Sequence, residues 1–380
     1  MIALTLTHSW CQTLSNPHPA RLYIGLMSGT SLDGVDAALV SFQDEQLELK
    51  VFKTFPYTDD LKNQLNLLNQ TPHIDLKALC DLEYRVAKAF SDAAQQLLDA
   101  SDYSATEITA IGSHGQTIFH APDIPMSLQI GHPAFIAKNT GITTAADFRI
   151  DDMANKGQGA PLAPAFHQKL FGTTDGTAVV NIGGISNITY LDNQKALGFD
   201  TGPGNGLMDE HCERFFNRAY DANGKIAQAG QVNTALLSDL MKEPYFSAPA
   251  PKTTGKDLFN YDWLTPFLTR HLNVSKEDIL STLNQLTVDT IIQGLNALPA
   301  QPKRLLICGG GAENNTLISR LQTQLDYPVE TTQSFGIPPH AVEAMMCAWL
   351  AQQRLSSRPI ALKHITGATQ DSILGGIWHP

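Results

Sequence analysis

The chain has 380 residues, 43% of them apolar and 17% charged, and a formal net charge of −11. At roughly 150 residues per domain this suggests two domains, with three as the alternative, and the composition is that of a soluble globular protein with a sizeable core. The acidic balance disfavours wholesale nucleic-acid binding, which needs a basic face, and no apolar run approaches the ~18 residues of a membrane span.

The chain opens on "MIALTLTHSW", which lacks a basic n-region and is soon interrupted by polar residues. Residues 1–20 therefore read as a loose extension and not as a signal peptide. "LYIGLMSGTSLDGVDAALV" (22–40) is an apolar run, a Gly/Ser/Thr turn and a second apolar run, the pattern of a β-hairpin. "CDLEYRVAKAFSDAAQQLLDA" (80–100) puts Leu82, Val86, Phe90, Ala93 and Leu97 on one helical stripe. "ITAIGSHGQTIFH" (108–120) reads as a buried strand running into Ser113, His114, Gly115 and Gln116. A helix is expected over 160–171, and "TAVVNIGGISNITYL" (177–191) repeats the hairpin pattern.

"RLLICGGGAENNTLISRLQ" (304–322) starts as a strand and turns at three glycines. It continues as a helix, with Leu317, Ile318 and Leu321 at i, i+1, i+4. Over 341–354, Val342, Met345, Met346, Trp349 and Leu350 fall on one face of an amphipathic helix opened by Pro338 and Pro339. "DSILGGIWHP" ends the chain as a strand. This order of mixed elements gives an α/β class. The five cysteines, Cys11, Cys80, Cys212, Cys308 and Cys347, are scattered and odd in number. They speak against a disulfide framework or zinc site and for a reducing cytoplasm.

The three glycine turns each follow a buried-looking strand. Glycine lets the backbone approach a ligand closely, and exposed N–H groups can cradle phosphate oxygens. One such turn alone is more simply a hairpin bend; three together point to a phosphate ligand. There is no Walker A sequence, no G-x-G-x-x-G, no H-E-x-x-H and no G-x-S-x-G. Phosphate would then be gripped by two facing hairpins, one from each domain.

"GFDTGPGN" (198–205) sets Asp200 before a glycine-proline turn. Asp200 either caps that turn or is a carboxylate that does chemistry. Phe199 would give an apolar wall and the glycines room for a sugar. His114 and Gln116 lie at a strand end, where α/β proteins bind ligands. Gln158 sits in the glycine-rich "KGQGAP". Asp147 and Arg149 form either a structural ion pair or substrate-side groups, Arg149 being suited to a carboxylate. Glu343 suits the first turn of its helix through the dipole alone, and is kept as a sugar-binding candidate. Cys308 reads as a buried strand residue.

"IGLMSGTSLDGVDAAL", "GSHGQTIFH", "LQIG", "DFR", "GQGAPLAPAFH", "NIGGISNI", "FDTGPGN", "PAPKTTGK" with "FNYDWL", "CGGGAENN" and "TGATQDSILGGI" resemble the anhydro-N-acetylmuramic acid kinase family, in order from about residue 22 to residue 377. The resemblance implies two RNase H-like domains of the actin/hexokinase type flanking a cleft for ATP and Mg²⁺. We divide the chain into residues 21–170 plus 342–380 and residues 171–341. The implied reaction opens the 1,6-anhydro bridge of 1,6-anhydro-N-acetylmuramic acid and phosphorylates O6, in cytoplasmic recycling of peptidoglycan by a homodimer.

Carried over to this sequence, Gly29, Thr30, Ser31, Leu32, Asp33, Gly34, Val35 and Asp36 form the first phosphate hairpin. Asn181, Gly183 and Gly184 form the second, Gly309, Gly310, Gly311 and Asn314 sit on adenosine, and Asp200 is the catalytic base. Asp33 or Asp36 would hold Mg²⁺ through water, without a protein cage. Two other readings stay open: an actin-fold kinase of an ordinary sugar or carboxylate, and a non-enzymatic ATP-binding module.

Overall fold

Twelve strands form two sheets in a computed structural model that describes residues 20–380 apart from Thr30, Glu45, 71–72, 173–175, 193–194 and Pro251. Nearly all of the expected N-terminal extension lies outside the described residues. The strands are β1 Arg21–Ser28, β2 Gly34–Gln43, β3 Gln46–Pro56, β4 Ile108–Ala121, β5 Met126–Ile130, β6 Thr144–Ala146, β7 Thr177–Ile182, β8 Ile185–Asp192, β9 Lys195–Pro203, β10 Arg304–Cys308, β11 Val329–Thr331 and β12 Gly376–Trp378.

The first sheet runs β3-β2-β1-β4-β6-β12, with β5 also paired to β4, and the second runs β9-β8-β7-β10-β11. Both follow one plan. Three antiparallel strands come first (β1 to β3, β7 to β9), and parallel strands are then added beyond the first of them (β4 and β6, β10 and β11). The internal echo among the glycine turns is thus an echo of topology. The first two turns are hairpins, and the third joins β10 to the helix Asn315–Gln324.

The expected helix of 80–100 spans Leu76–Asp99, and its stripe of Leu82, Val86, Phe90, Ala93 and Leu97 is buried against the first sheet. The Asp75 carboxylate caps it by accepting from Lys77 N and Ala78 N, a contact worth about 1 kcal/mol. The next helix starts slightly later than expected, at Ala163, and spans Ala163–Phe171. β4 does not stop at Ser113. It continues through Gln116 to Ala121, and Gly115 takes φ +70 within it.

The helix Ala341–Leu355 departs from the one-faced pattern expected of it. Ala341 to Ala351 are buried all round, apart from half-buried Glu343. The reason is position: one flank lies on β1, β2 and β4, while the other joins a core that includes Val179, Leu191 and Leu306 of the second sheet. A helix apolar on every side belongs in such a core. Two glycines seat it. A Cβ on Gly25 would lie 1.8 Å from the carbonyl oxygen of Ala344, and one on Gly112 would lie 1.9 Å from that of Cys347. No helix among the described residues is long and apolar enough to cross a membrane.

Candidate active site

The second sheet aligns three polar side chains. Asn181 on β7 pairs with Asn187 on β8, and Asn187 pairs with Asp200 on β9. Directly opposed residues share a face of the pleat, so these side chains form one row. Cys308 of β10 extends it beside Asn181, as the buried strand residue expected. Phe199, one step along β9, turns to the other face and packs with Met208 and Phe246 in the second core. It is therefore not the apolar wall expected beside Asp200; the alternation of the strand sends it away. Thr201 is bulged, because Ser186 pairs with Gly202 while Asn187 pairs with Asp200.

Asp200 is 9% exposed. Its Oδ2 accepts from the Thr253 hydroxyl at 2.7 Å and from Thr254 N at 3.0 Å, while its own N–H donates to Lys252 O at 3.1 Å. Its Oδ1 accepts no hydrogen bond from the described residues. Asp200 is a strand residue gripped by a distant loop and does not cap its own turn. Burial pushes its carboxyl up from 3.8 to about 6, against the opposing pull of the Thr254 and Thr253 hydrogen bonds and the Arg149 and Lys252 charges.

The glycines after Asp200 do not leave space for a sugar. Gly204 N and Gly206 N donate to Gly184 O at 3.0 and 3.1 Å, and Asn205 N donates to Gly183 O at 2.7 Å. A Cβ on Gly204 would lie 2.3 Å from Gly183 O. The segment buttresses the second hairpin from behind, backbone on backbone.

In the first hairpin Gly29 stands in open space and Ser31 is exposed, while Leu32, Gly34 and Val35 are buried; Thr30 lies outside the described residues. Exposed Asp33 takes an ion pair from Lys62 at 3.0 Å. Half-buried Asp36 accepts from Thr54 Oγ1, and burial with the nearby Asp33 charge raises its pKa. Gln116 braces the turn: its Oε1 accepts from Ser28 Oγ at 2.7 Å, and its Nε2 donates to Gly29 O at 3.3 Å.

A relay of contacts runs along the facing side. Asp152, fully buried, accepts from Gly159 N at 2.8 Å and Thr366 Oγ1 at 2.9 Å. That fixes the Gly159 carbonyl, which accepts from Arg149 Nη1 at 2.8 Å. Arg149 Nε donates to His114 Nε2 at 2.8 Å, so the His114 proton is on Nδ1, where it donates to Gly115 O at 3.0 Å. Burial and the Arg149 charge push His114 down to about 3, so it is neutral. Arg149 interacts electrostatically with Glu343 and Asp200 together.

Glu343 accepts from Asn181 Nδ2 at 3.4 Å, and burial and Asp36 raise its pKa. Asp147 forms no ion pair with Arg149; it stands at the start of helix Phe148–Ala154 with φ +64. Gln158 is tied through its backbone N–H to Thr366 O at 2.9 Å.

Beside the second hairpin, Gly309 and Gly311 are packed against β7: a Cβ on either would lie 2.3 Å from Asn181 Oδ1 or from an Ile182 methyl, respectively. Gly310 alone has room, with Asn205 and His340 as its nearest neighbours at 3.7 Å. His340 Nε2 meets Glu313 Oε1 at 2.8 Å. Asn314 turns inward, capping helix Asn315–Gln324 through Leu317 N and accepting from Asn284 Nδ2.

Residues 21–380 match the family model for anhydro-N-acetylmuramic acid kinase. The chain belongs to this family. It is 81% identical over 367 residues to the anhydro-N-acetylmuramic acid kinase of Hydrogenovibrio crunogenus, covering 97% of this chain and all of that one. It is 45% identical to the enzyme of the same name from Pasteurella multocida, over 94% of this chain and 96% of that one. Among solved structures, the (R)-2-hydroxyglutaryl-CoA dehydratase component A of Acidaminococcus fermentans aligns with 86% of this chain and 96% of that one, at 9% identity and a TM-score of 0.48.

In this member of the anhydro-N-acetylmuramic acid kinase family, the fold draws Asp36, His114, Arg149, Asn181, Asp200 and Glu343 into one electrostatic cluster. Gln116 instead braces the first hairpin, and Asn314 caps helix Asn315–Gln324. Sequence reasoning assigned no role to Lys252, Thr253, Thr254, Asp152, Asn187 or Asp209. Asp209, in helix Gly206–Phe216, is pushed up to about 7 by burial and by Asp33 of the first hairpin. The quoted motifs "PAPKTTGK", "GQGAP" and "NIGGISNI" were the available signals for several of these.

Proposed function

We propose that the chain is an ATP-dependent kinase that opens the 1,6-anhydro bridge of 1,6-anhydro-N-acetylmuramic acid with water and phosphorylates O6. The products are N-acetylmuramic acid 6-phosphate and ADP, and the role is cytoplasmic peptidoglycan recycling. The observation that carries this reading is Asp200: a buried carboxylate with one oxygen held by Thr253 and Thr254 and the other left for a ligand.

Asp200 takes a proton from the water that attacks C1. The C1–O6 bond breaks, O6 bonds to the γ-phosphorus, and ADP leaves. A pKa of about 6 keeps Asp200 ionised at neutral pH yet basic enough to accept that proton. Arg149, held at Nε and Nη1, offers its guanidinium to the lactyl carboxylate, and neutral His114 fixes its orientation. Gly183 N donates to Ile185 O at 3.1 Å within its own turn, so the backbone N–H groups at Gly29, Ser31 and Gly184 bind the phosphates, and Gly310 gives room for the adenosine.

Burial and the Asp33 charge raise the proton affinity of Asp36, and burial and the Asp36 charge raise that of Glu343, a group of carboxylates that suits a nearby cation. Asp33 or Asp36 would hold hydrated Mg²⁺ through water, which would neutralise charge on the transferring phosphoryl group. Residues 21–170 with 342–380, and residues 171–341, act as the two halves that close on the substrates. The active form is a homodimer. Mass spectrometry of the product tests the reaction: it must gain one phosphate and one water over the anhydro sugar. Phosphate gain alone rejects the proposal.

A further inference from the structure

We infer that Asn187 is the second holder of the attacking water, alongside Asp200. This rests on the hydrolysing kinase reading above. Asn187 lies directly across from Asp200 in the β8–β9 register, on the same face. Opposed residues in antiparallel strands have Cβ atoms about 4.5–5.5 Å apart, a separation that one water can bridge.

The polar bookkeeping around Asn187 singles it out. Its Oδ1 is buried and has no hydrogen-bond partner among the described residues. Its strand neighbours do not share that condition: Ser186 Oγ bonds to Thr201 Oγ1 at 2.6 Å, and Thr189 Oγ1 bonds to His167 Nδ1 at 2.8 Å. A buried acceptor with no partner costs stability that an apolar side chain of the same size would not. Beside it, Asp200 Oδ2 is filled by Thr253 and Thr254, while Oδ1 has no hydrogen-bond partner among the described residues.

A nucleophilic water has two protons. If Asp200 Oδ1 takes one and Asn187 Oδ1 takes the other, both O–H directions are fixed and a lone pair is left for C1. An amide serves better than a second carboxylate: it accepts the proton's hydrogen bond without a like charge that would raise Asp200 further. During attack one water proton moves to Asp200 and the other stays on the new anomeric hydroxyl, still held by Asn187.

The test is the Asn187→Leu variant, which removes the acceptor at nearly constant volume, assayed in water–methanol mixtures. Methanol has one hydroxyl proton and can satisfy only one acceptor, so the wild type should favour water strongly. In Asn187→Leu, kcat should fall about 10–100-fold with KM for the anhydro sugar changed less than about threefold. The share of methyl glycoside 6-phosphate among products should rise at least about tenfold. Asn187→Ser, which keeps an acceptor, should lie between the two and covers the case in which the leucine variant fails to fold.

An unchanged methanol share in a folded variant, or a raised KM with kcat intact, overturns the inference. Wild-type turnover in ¹⁸O-water guards the underlying reading: a product without label at C1 rejects that reading itself, whatever Asn187 does.

Discussion

The Thr253 hydroxyl donates to Asp200 Oδ2 at 2.7 Å, so a loop far along the chain sets the basicity of the strand carboxylate. That bond favours the ionised form and opposes burial. In the wild type, kcat/KM should fall about tenfold per pH unit below about 6, as Asp200 takes up a proton. In Thr253→Val the bond is lost and the carboxyl rises further. The acid limb should move up by about one pH unit, with the rate at pH 8 nearly kept. A pH profile of kcat/KM for both proteins checks this.

Asp200→Asn should lose about 10²–10⁴ in kcat, as expected for removal of a general base, measured by ADP release. The same change should stabilise the fold at high pH. The folded carboxyl titrates near 6 and the unfolded one near 3.8, so its contribution is full below about 3.8 and is lost as pH rises through about 6. The neutral amide avoids that loss. Asp200→Asn should therefore gain on the order of 2 kcal/mol at pH 8 and little at pH 4. Thermal melts at the two pH values read the difference.

Gly204→Ala should strike the nucleotide and spare the sugar. The added Cβ would lie 2.3 Å from Gly183 O, and that carbonyl belongs to the second hairpin. The hairpin must shift, and KM for ATP should rise about tenfold or more while KM for the anhydro sugar changes little. Steady-state kinetics with each substrate varied in turn give the answer.

Gly25→Ala should unfold much of the protein's stability margin, although it touches no reacting group. Its Cβ would meet the Ala344 carbonyl at 1.8 Å, a backbone atom that cannot swing aside. A loss of about 3 kcal/mol or more is expected from overpacking at a rigid contact. Denaturant midpoints compare it with the wild type.

Much of this was legible because it is local. Glycine turns, the stripe from Leu82 to Leu97 and the strand patterns are written within short windows, and they yielded the hairpins and the helix Leu76–Asp99. The family motifs supplied Asp200 and the hairpin residues as candidates. What stayed hidden depends on partners far apart in sequence. Nothing in "GFDTGPGN" says that Thr253 will reach Oδ2, or that Gly204 will press on Gly183. Register decides Asn187: one step of slip would have turned it to the opposite face. Phe199 failed as a wall for the same reason. The helix Ala341–Leu355 looked one-sided because its second contact surface comes from another sheet.

That helix has a mechanical consequence. Its Met345 and Trp349 join an apolar seam reaching from Tyr23 in the first sheet to Val179 and Leu306 in the second. Neither sheet can be peeled off without wetting the core it shares with the other. The keel that sets Glu343 beside Asn181 also rivets the two sheets together, so the molecule should melt in one step.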